Sequence, residues 1–339
     1  MGRKKKVSCV IVNYNDADTT ERLVRKICGY RSLDAVVVVD NGSTDGSEGR
    51  LRALAGETVG ESSGELADGP IEAVSEKSAG EPERGQDLHE ARQQQRIVVL
   101  AAGKNGGYGA GNNKGITYSC RELGMDHVLV ANPDVEFSER TVARLSRLLT
   151  SHPELGAVSA RMQDPVYGLQ PNGWPLLGFW GDLARSGPVC RRLFRPFLEY
   201  SKTYLKDKRA VYVDALHGSM LMVDGRKFME CGGYDEKVFL YNEEAILGCR
   251  LLKKGYRSAL LLSDQYFHRH SQSISKTYGD MWERQELRNK SALYYYKNYL
   301  KIDKRQELAV RTFFQIVRLE IWCAAVWREL TGRAQTSGR

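Results

Sequence analysis

The stretch "HVLVANPDVEF", His127 to Phe137, decides how the chain is to be read. An apolar run, Val128 to Ala131, stops at Asn132-Pro133-Asp134, and Glu136 follows two residues later. Strands often end in Asn, Pro and Asp because those residues make turns. The same pattern also places an amide and carboxylates at the tip of a buried strand, where they can meet a metal-bound phosphate. Only the rest of the chain separates the two readings.

Working outward, the same grammar recurs. "VSCVIVNYN" (Val7 to Asn15) is a β-branched run with a polar end, and Asp16 to Ile27 has helical periodicity, with Asp16 or Asp18 able to cap it. "AVVVVDNGSTDGS" is an apolar strand that breaks at Asp40. "RIVVLAAGKN" and "GAGNNKGITYSCREL" read as strand and helix. Apolar strands alternating with amphipathic helices predict an α/β fold with a mostly parallel, Rossmann-like sheet covered on both faces. In such sheets ligands bind beyond the carboxyl ends of the strands, which is where Asp40 and Asn132 to Asp134 fall.

Between residues 55 and 95 the composition turns to Gly, Glu, Ser and Gln, with little to bury, and reads as a disordered insertion. Leu169 to Leu205 is irregular, aromatic and basic, and reads as a large loop. The expected organisation is one half over 1–135, a second half over 136–278, and a helical extension over 279–339.

The chain has 339 residues and a net charge of +8, which favours anionic partners without choosing among them. Its basic residues are dispersed and carry no nucleic-acid motif, so a nucleic-acid module is not expected. Seven scattered cysteines without a Cys-x-x-Cys pair read as reduced thiols. With no signal peptide pattern and no spanning run, the expectation is cytoplasmic residence. The segment "LAVRTFFQIVRLEIWCAAVWREL" reads either as a helix packed on the domain or as one resting on the inner face of an anionic membrane.

Several residues can carry chemistry. The stretch "GKNGGYGAGNNKG" fails both the dinucleotide and the P-loop spacing, which leaves a flexible loop before a helix N-terminus, suited to an anion. Tyr14 can stack on a base, Asp40 can accept from a base N–H, Asn105 opens the glycine stretch, and Asp134 can hold a divalent cation that bridges phosphates. Glu243 and Glu244 are neighbours at a predicted helix start capped by Asn242, pointing about 100° apart, so one can face a pocket and take a proton while the other is tied to structure. His268 and His270 alternate after a strand and can share one face.

As a set, "VSCVIVNYN", "VVVVDNGSTDGS", "KNGGYGAGNNKG", "VLVANPDVEF", "GGYDEKVFLYNEEAILGCRL" and "HRHSQSIS" resemble, in order and spacing, the family-2 inverting glycosyltransferases with the GT-A fold. The likeness covers Val7 to Ser275 apart from the insertion, and leans towards bacterial, rhamnosyltransferase-like members that build cell-surface polysaccharides. It implies a UDP- or dTDP-sugar donor, a saccharide or lipid-linked acceptor, and Mg²⁺ or Mn²⁺. Tyr14 and Asp40 then look like base-binding residues, with Asn105 in the loop against the donor. Asn132-Pro133-Asp134 stands in the place of the Asp-x-Asp motif, with Asp134 as the metal carboxylate. Glu244 matches the general base and Glu243 its neighbour. His270, or less closely His268, matches a late histidine near the metal or diphosphate. Two departures stand out: Asn132 is neutral where the motif has an acid, and Ile246 occupies a position where many members have aspartate. A sugar-phosphate nucleotidyltransferase and a non-catalytic donor- or glycan-binding subunit are the competing readings.

Overall fold

Four runs of apolar, largely β-branched residues form β1 (Val7–Asn13), β2 (Ala35–Asp40), β3 (Arg96–Ala101) and β4 (His127–Ala131), joined by α1 (Ala17–Ile27), α2 (Ser47–Thr58) and α3 (Gly107–Arg121). The computed structural model describes residues 3–58, 96–166, 168–269 and 280–330. Most of the expected insertion, and His270, lie outside the described residues. Beyond β4 come β5 (Val135–Glu136), α4 (Glu139–Ser151), β6 (Leu155–Asp164), β7 (Gly168–Gln170) and β8 (Gly173–Trp174). Then follow α5 (Phe179–Ser186), α6 (Pro188–Leu198), α7 (Lys202–Leu205), β9 (Ala210–Val213), β10 (Ala215–Leu216), β11 (Met220–Asp224), α8 (Gly225–Glu230) and α9 (Glu243–Lys253). β12 (Arg257–His268), α10 (Met281–Asn298) and α11 (Lys304–Leu330) complete the described chain.

The main sheet has the order β3-β2-β1-β4-β11-β6-β12-β5. β1, β2, β3 and β4 are mutually parallel, β6 is parallel to β12, and β11 runs antiparallel between β4 and β6. The register aligns Asn13 with Asp40 and Asp40 with Ala101, so three strands end level. Met220 lies opposite Ala131. Because β11 is antiparallel, the turn that precedes it arrives at the same rim where β4 ends.

Successive strand residues face opposite sides, and each side is covered. Cys9, Ile11, Val36, Val38 and Leu129 pack with Leu23 and Ile27 of α1, Leu51 of α2 and Leu145 of α4. Their neighbours Val10, Val37, Val39, Val128 and Val130 pack with Ile116 of α3, Phe228 of α8, and Leu247 and Leu251 of α9.

The glycine stretch is not a flexible loop: α3 starts at Gly107, so most of its glycines are helical. A Cβ on Gly111 would lie 2.8 Å from Val12 Cγ1, and one on Gly115 2.5 Å from Val10 Cγ1. The glycines are spaced to let α3 lie directly on β1, a packing role that composition alone does not distinguish from looseness. Leu169 to Leu205 is also more ordered than read from sequence, with two short strands and three helices. Gly178, Gly187 and Ser201 stand at the N-caps of α5, α6 and α7, and Pro188 and Pro196 lie within α6, so the segment reads from sequence as a run of breaks. A third cluster joins α5 (Phe179, Leu183), α9 (Ala245, Ile246), α10 (Tyr295, Tyr296) and α11 (Val310, Phe314). Ile246 is wholly buried there, so the residue at that family aspartate position serves the core.

Candidate active site

Two polar loops close over the ends of β1 and β2. Asp40 is buried, and its carboxylate accepts from Asn13 Nδ2 (2.9 Å), the Ser43 backbone N–H (2.9 Å) and the Ser43 hydroxyl. It sets the shape of the rim from within. Asn15 and Thr44 tie the first loop to the second, with Thr44 N donating to Asn15 Oδ1 at 2.8 Å. Tyr14 stands half-buried beside them at the end of β1. Asn41 Nδ2 donates to Asn105 Oδ1 (3.1 Å) and to the Gly107 carbonyl (3.1 Å), and Gly107 N donates to Asn105 Oδ1 (3.0 Å). Asn105 thus pins the start of α3. Gly107 has φ +87°, and a Cβ there would lie 2.1 Å from the Phe239 carbonyl oxygen, so only glycine fits.

From this point one chain of contacts runs across the rim. Tyr108 N donates to the Phe239 carbonyl (3.1 Å), and its hydroxyl donates to the Gly218 carbonyl (2.6 Å). Gly218 N donates to Glu244 Oε1 (3.2 Å), while Asn132 N donates to the Ser219 carbonyl (2.8 Å). The His217-Gly218-Ser219 turn therefore straps the Asn132-Pro133-Asp134 turn to the glutamate pair. Sequence reading missed this turn and Tyr108. The available signal was "ALHGSML", a polar triplet between two apolar pairs, at a place where an antiparallel strand begins.

Asp134 is buried at the other side of the turn, and the pairing of His268 with Val135 sets the imidazole beside it, with Nε2 3.3 Å from Asp134 Oδ1. The rings of His217 and His268 are 5.8 Å apart, and Trp174 meets His217 edge-on at 6.5 Å. Ser219 Oγ, the Tyr266 hydroxyl and Asn172 form a buried network beneath, with contacts of 2.7 and 3.0 Å. Glu136 is turned away from the site. It pairs with Lys26 at 2.6 Å and with Arg269, and the Lys26 contact holds its pKa below the usual carboxylate value.

The glutamates are separated by environment. Asn242 stands at the N-cap of α9, but its side chain makes no cap hydrogen bond, contrary to the sequence expectation. Its backbone is left-handed (φ 68°), as is that of Tyr241 (φ 71°), so two consecutive non-glycine residues carry unfavourable torsions beside the pair. Ser291 Oγ donates to the Leu240 carbonyl (2.7 Å), and the Arg288 guanidinium lies 4.7 Å from the centre of the Tyr241 ring, so α10 braces this turn. Glu243 is buried, and its Oε2 has no hydrogen-bond partner. Burial, reinforced by the charge of Glu244, holds the Glu243 carboxyl well above the usual range. Burial raises Glu244 too, but its own backbone N–H and that of Gly218 stabilise its charged form. Both carboxyls are therefore pushed upward, and Glu244 alone of the two has the Gly218 N–H on its charged form.

One consequence concerns stability. The pKa of Glu243 is raised in the folded state, so its contribution is fully present below the ordinary value of 4.5 and is lost as pH rises through the folded value. Glu243→Gln is expected to raise the melting temperature at pH 8 and to have little effect near pH 4. The gain is about 1.4 kcal/mol for each pH unit between the two pKa values. Thermal melts across this range check it; a lower melting temperature at pH 8 refutes the assignment.

Among the described residues no group of three or more His, Cys, Asp or Glu is placed to hold a metal ion. Asp134, with His268 beside it and the Asn132 amide two residues earlier, is a donor set of one carboxylate and little else. That does not suit a protein-only cage such as structural zinc. It does suit Mg²⁺ or Mn²⁺ carried largely by the phosphate oxygens of a bound ligand.

Comparison with known proteins bears on the family and the fold. Residues 8–62 match the Glycosyl transferase family 2 profile. The chain is 30% identical over 189 residues to the N-acetylglucosaminyl-diphospho-decaprenol L-rhamnosyltransferase of Mycobacterium tuberculosis, covering 53% of this chain and 61% of that protein. It is 33% identical over 148 residues to the low-salt glycan biosynthesis hexosyltransferase Agl10 of Haloferax volcanii, covering 44% of each. The chain thus spans less than two thirds of the length of these relatives. Its fold matches that of the mannosyltransferase PcManGT from Pyrobaculum calidifontis, solved with GDP-Man and Mn²⁺, at a TM-score of 0.54 and 14% identity over 96% of this chain and 76% of that one. GalNAc-T7, solved with UDP, GalNAc and Mn²⁺, matches at 0.50 and 12% identity over 78% and 44%.

Proposed function

We propose that this chain, whose residues 8–62 match the Glycosyl transferase family 2 profile and whose fold is that of the GT-A glycosyltransferases, is an inverting glycosyltransferase of glycan biosynthesis. It moves a sugar from a nucleotide-sugar donor, UDP- or dTDP-linked, to a saccharide or lipid-linked saccharide acceptor. The observation that carries this reading is the strap: Gly218 N holds Glu244 Oε1 at 3.2 Å while the next residue, Ser219, holds the Asn132–Asp134 turn at 2.8 Å. A proton acceptor and a diphosphate-facing carboxylate are thereby fixed to adjacent residues.

In the proposed reaction the donor base lies over the Tyr14 end of the rim. The two loops held by Asp40, Asn41 and Asn105 shape its seat. Asp134 and Asn132, with His268 (and, in the resemblance, His270) alongside, would hold Mg²⁺ or Mn²⁺ against the diphosphate. When bound, the cation stabilises the charge of the departing nucleoside diphosphate. Glu244 takes the proton from the acceptor hydroxyl as its oxygen bonds to the anomeric carbon. The bond from that carbon to the diphosphate oxygen breaks with its electron pair going to the nucleotide, and the single displacement inverts the centre. Burial and the neighbouring Glu244 push the Glu243 carboxyl upward, which favours its neutral form beside the base. A relative named for N-acetylglucosaminyl-diphospho-decaprenol supports a lipid-linked acceptor. Such an acceptor fits a protein in peripheral contact with the inner face of a membrane. No described helix is long and apolar enough to cross one.

The test is a panel of nucleotide sugars assayed with Mg²⁺ or Mn²⁺ for release of nucleoside diphosphate, with the anomeric configuration of the product read by NMR. Metal-dependent release and an inverted product are expected. Pyrophosphate release from a nucleoside triphosphate and a sugar phosphate would replace this reading with a nucleotidyltransferase. Donor binding without turnover on suitable acceptors would replace it with a binding subunit.

A further inference from the structure

α6, "PVCRRLFRPFL", lies on the surface with only Leu198 buried. At about 100° per residue, Val189, Leu193, Phe194 and Phe197 fall on one arc and Arg191, Arg192 and Arg195 on the opposite one. The apolar arc faces outward: Phe197 is 80% exposed, Leu193 68%, and Val189 and Phe194 about half. The helix contains three arginines and no acid. Arg195 and Arg191 reach Glu199, just beyond its end, at 2.9 and 3.9 Å.

The neighbouring helices extend this pattern. Trp180 of α5 is 65% exposed. Val189 N donates to Glu320 of α11 at 3.4 Å, and Gly187 is so close to α11 that a Cβ would lie 2.7 Å from Phe313. α11 buries Val310, Phe314 and Val317, yet exposes Leu308, Ile316, Leu319, Trp322 and Trp327. A helix apolar on two faces is ordinarily enclosed on both.

We infer that α6, flanked by Trp180 and the exposed stripe of α11, is an interfacial docking surface for an anionic lipid bilayer. A helix with Phe and Leu on one side, Arg on the other and no acid has the composition that sinks into the headgroup–acyl boundary and draws on anionic lipids. The +8 charge of the chain acts in the same direction. The surface joins the site through a short connection: Trp174, which meets His217, precedes α5 by only a few residues, and Leu176 N is tied to Asp214 Oδ2 at 3.0 Å. An acceptor held in the bilayer would thus be met from the α5–α6 side. The inference deepens the lipid-linked reading given above and rests on it for the presence of a membrane.

The test uses the full chain in vesicle flotation, with mixed phosphatidylcholine–phosphatidylglycerol vesicles beside pure phosphatidylcholine ones. Wild type is expected to float with the mixed vesicles, and to be released by salt. Leu193→Glu with Phe197→Glu is expected to lower binding at least about tenfold, with an unchanged melting temperature and unchanged turnover on a water-soluble acceptor. Arg191→Ala with Arg192→Ala and Arg195→Ala is expected to remove the preference for anionic vesicles. If wild type binds and the Leu193–Phe197 variant binds equally, α6 is not the docking element, although peripheral contact stands. If wild type binds neither vesicle, both fail. A dimer in light scattering that the same glutamates dissociate would overturn the inference in favour of an interface between copies.

Discussion

Glu244→Gln is expected to lower the rate of sugar transfer by about 10²–10⁴-fold, the usual yield of a general base. Glutamine keeps the shape and can still accept from Gly218 N, which now meets Glu244 Oε1 at 3.2 Å. Donor affinity, read by calorimetry, should therefore barely change. Burial raises the pKa of Glu244, so the acid limb of the wild-type kcat/KM profile should lie above the ordinary carboxylate range. Activity should rise with pH through that limb as the carboxylate ionises, and the limb should vanish in the variant. A variant that retains the full rate or the same limb would remove Glu244 from the base role.

Asp134→Asn should act on the leaving group. Charge stabilisation by a bound cation is worth several kcal/mol, and each 1.36 kcal/mol is tenfold in rate. A fall of about 10²–10³-fold is expected, with a higher concentration of Mg²⁺ or Mn²⁺ needed for half-maximal rate. Asparagine is nearly isosteric, and the Asp134 carbonyl that accepts from Arg269 N at 3.0 Å is unaffected, so circular dichroism should be unchanged. The neutral Asn132 leaves Asp134 as the acid of that motif, which is why the loss should be large. Equal rates and equal metal requirement for both proteins would refute the assignment.

The two variants fail in different ways, which keeps them informative about each other. Loss of the base should leave the metal requirement intact, and loss of the metal carboxylate should leave the acid limb intact. Glu244 meets the His217–Ser219 turn through Gly218 N, and the Asn132–Asp134 turn meets it through the Ser219 carbonyl.

Much of this was legible along the chain because it depends on local chemistry. Val36 to Val39 can only be a buried strand, and a strand buried on both faces must end in polar residues where it leaves the core. Asp40, Asn132 and Asp134 could be singled out for that reason, and Glu243 and Glu244 as adjacent acids at a helix start. The glycines of α3 were harder. Glycine reads as looseness unless the neighbour that forbids a Cβ is known, and that neighbour is Val10 or Val12, a hundred residues away. The helices between Gly178 and Leu205 were hidden by Gly178, Gly187, Pro188 and Pro196, which read as breaks although Pro196 lies inside α6.

Composition and periodicity thus determined the α/β class, the parallel core and which side chains stand at strand ends, since burial of backbone demands those patterns wherever the segment lies. Only tertiary structure decided which strand ends share a rim, because adjacency depends on strand order and direction. β11 enters antiparallel between β4 and β6, and so brings His217, Gly218 and Ser219 to Asp134 and Glu244. It also decided how the two glutamates differ, since they are identical residues side by side, and only Glu244 receives the Gly218 N–H while Glu243 Oε2 is buried without a hydrogen-bond partner.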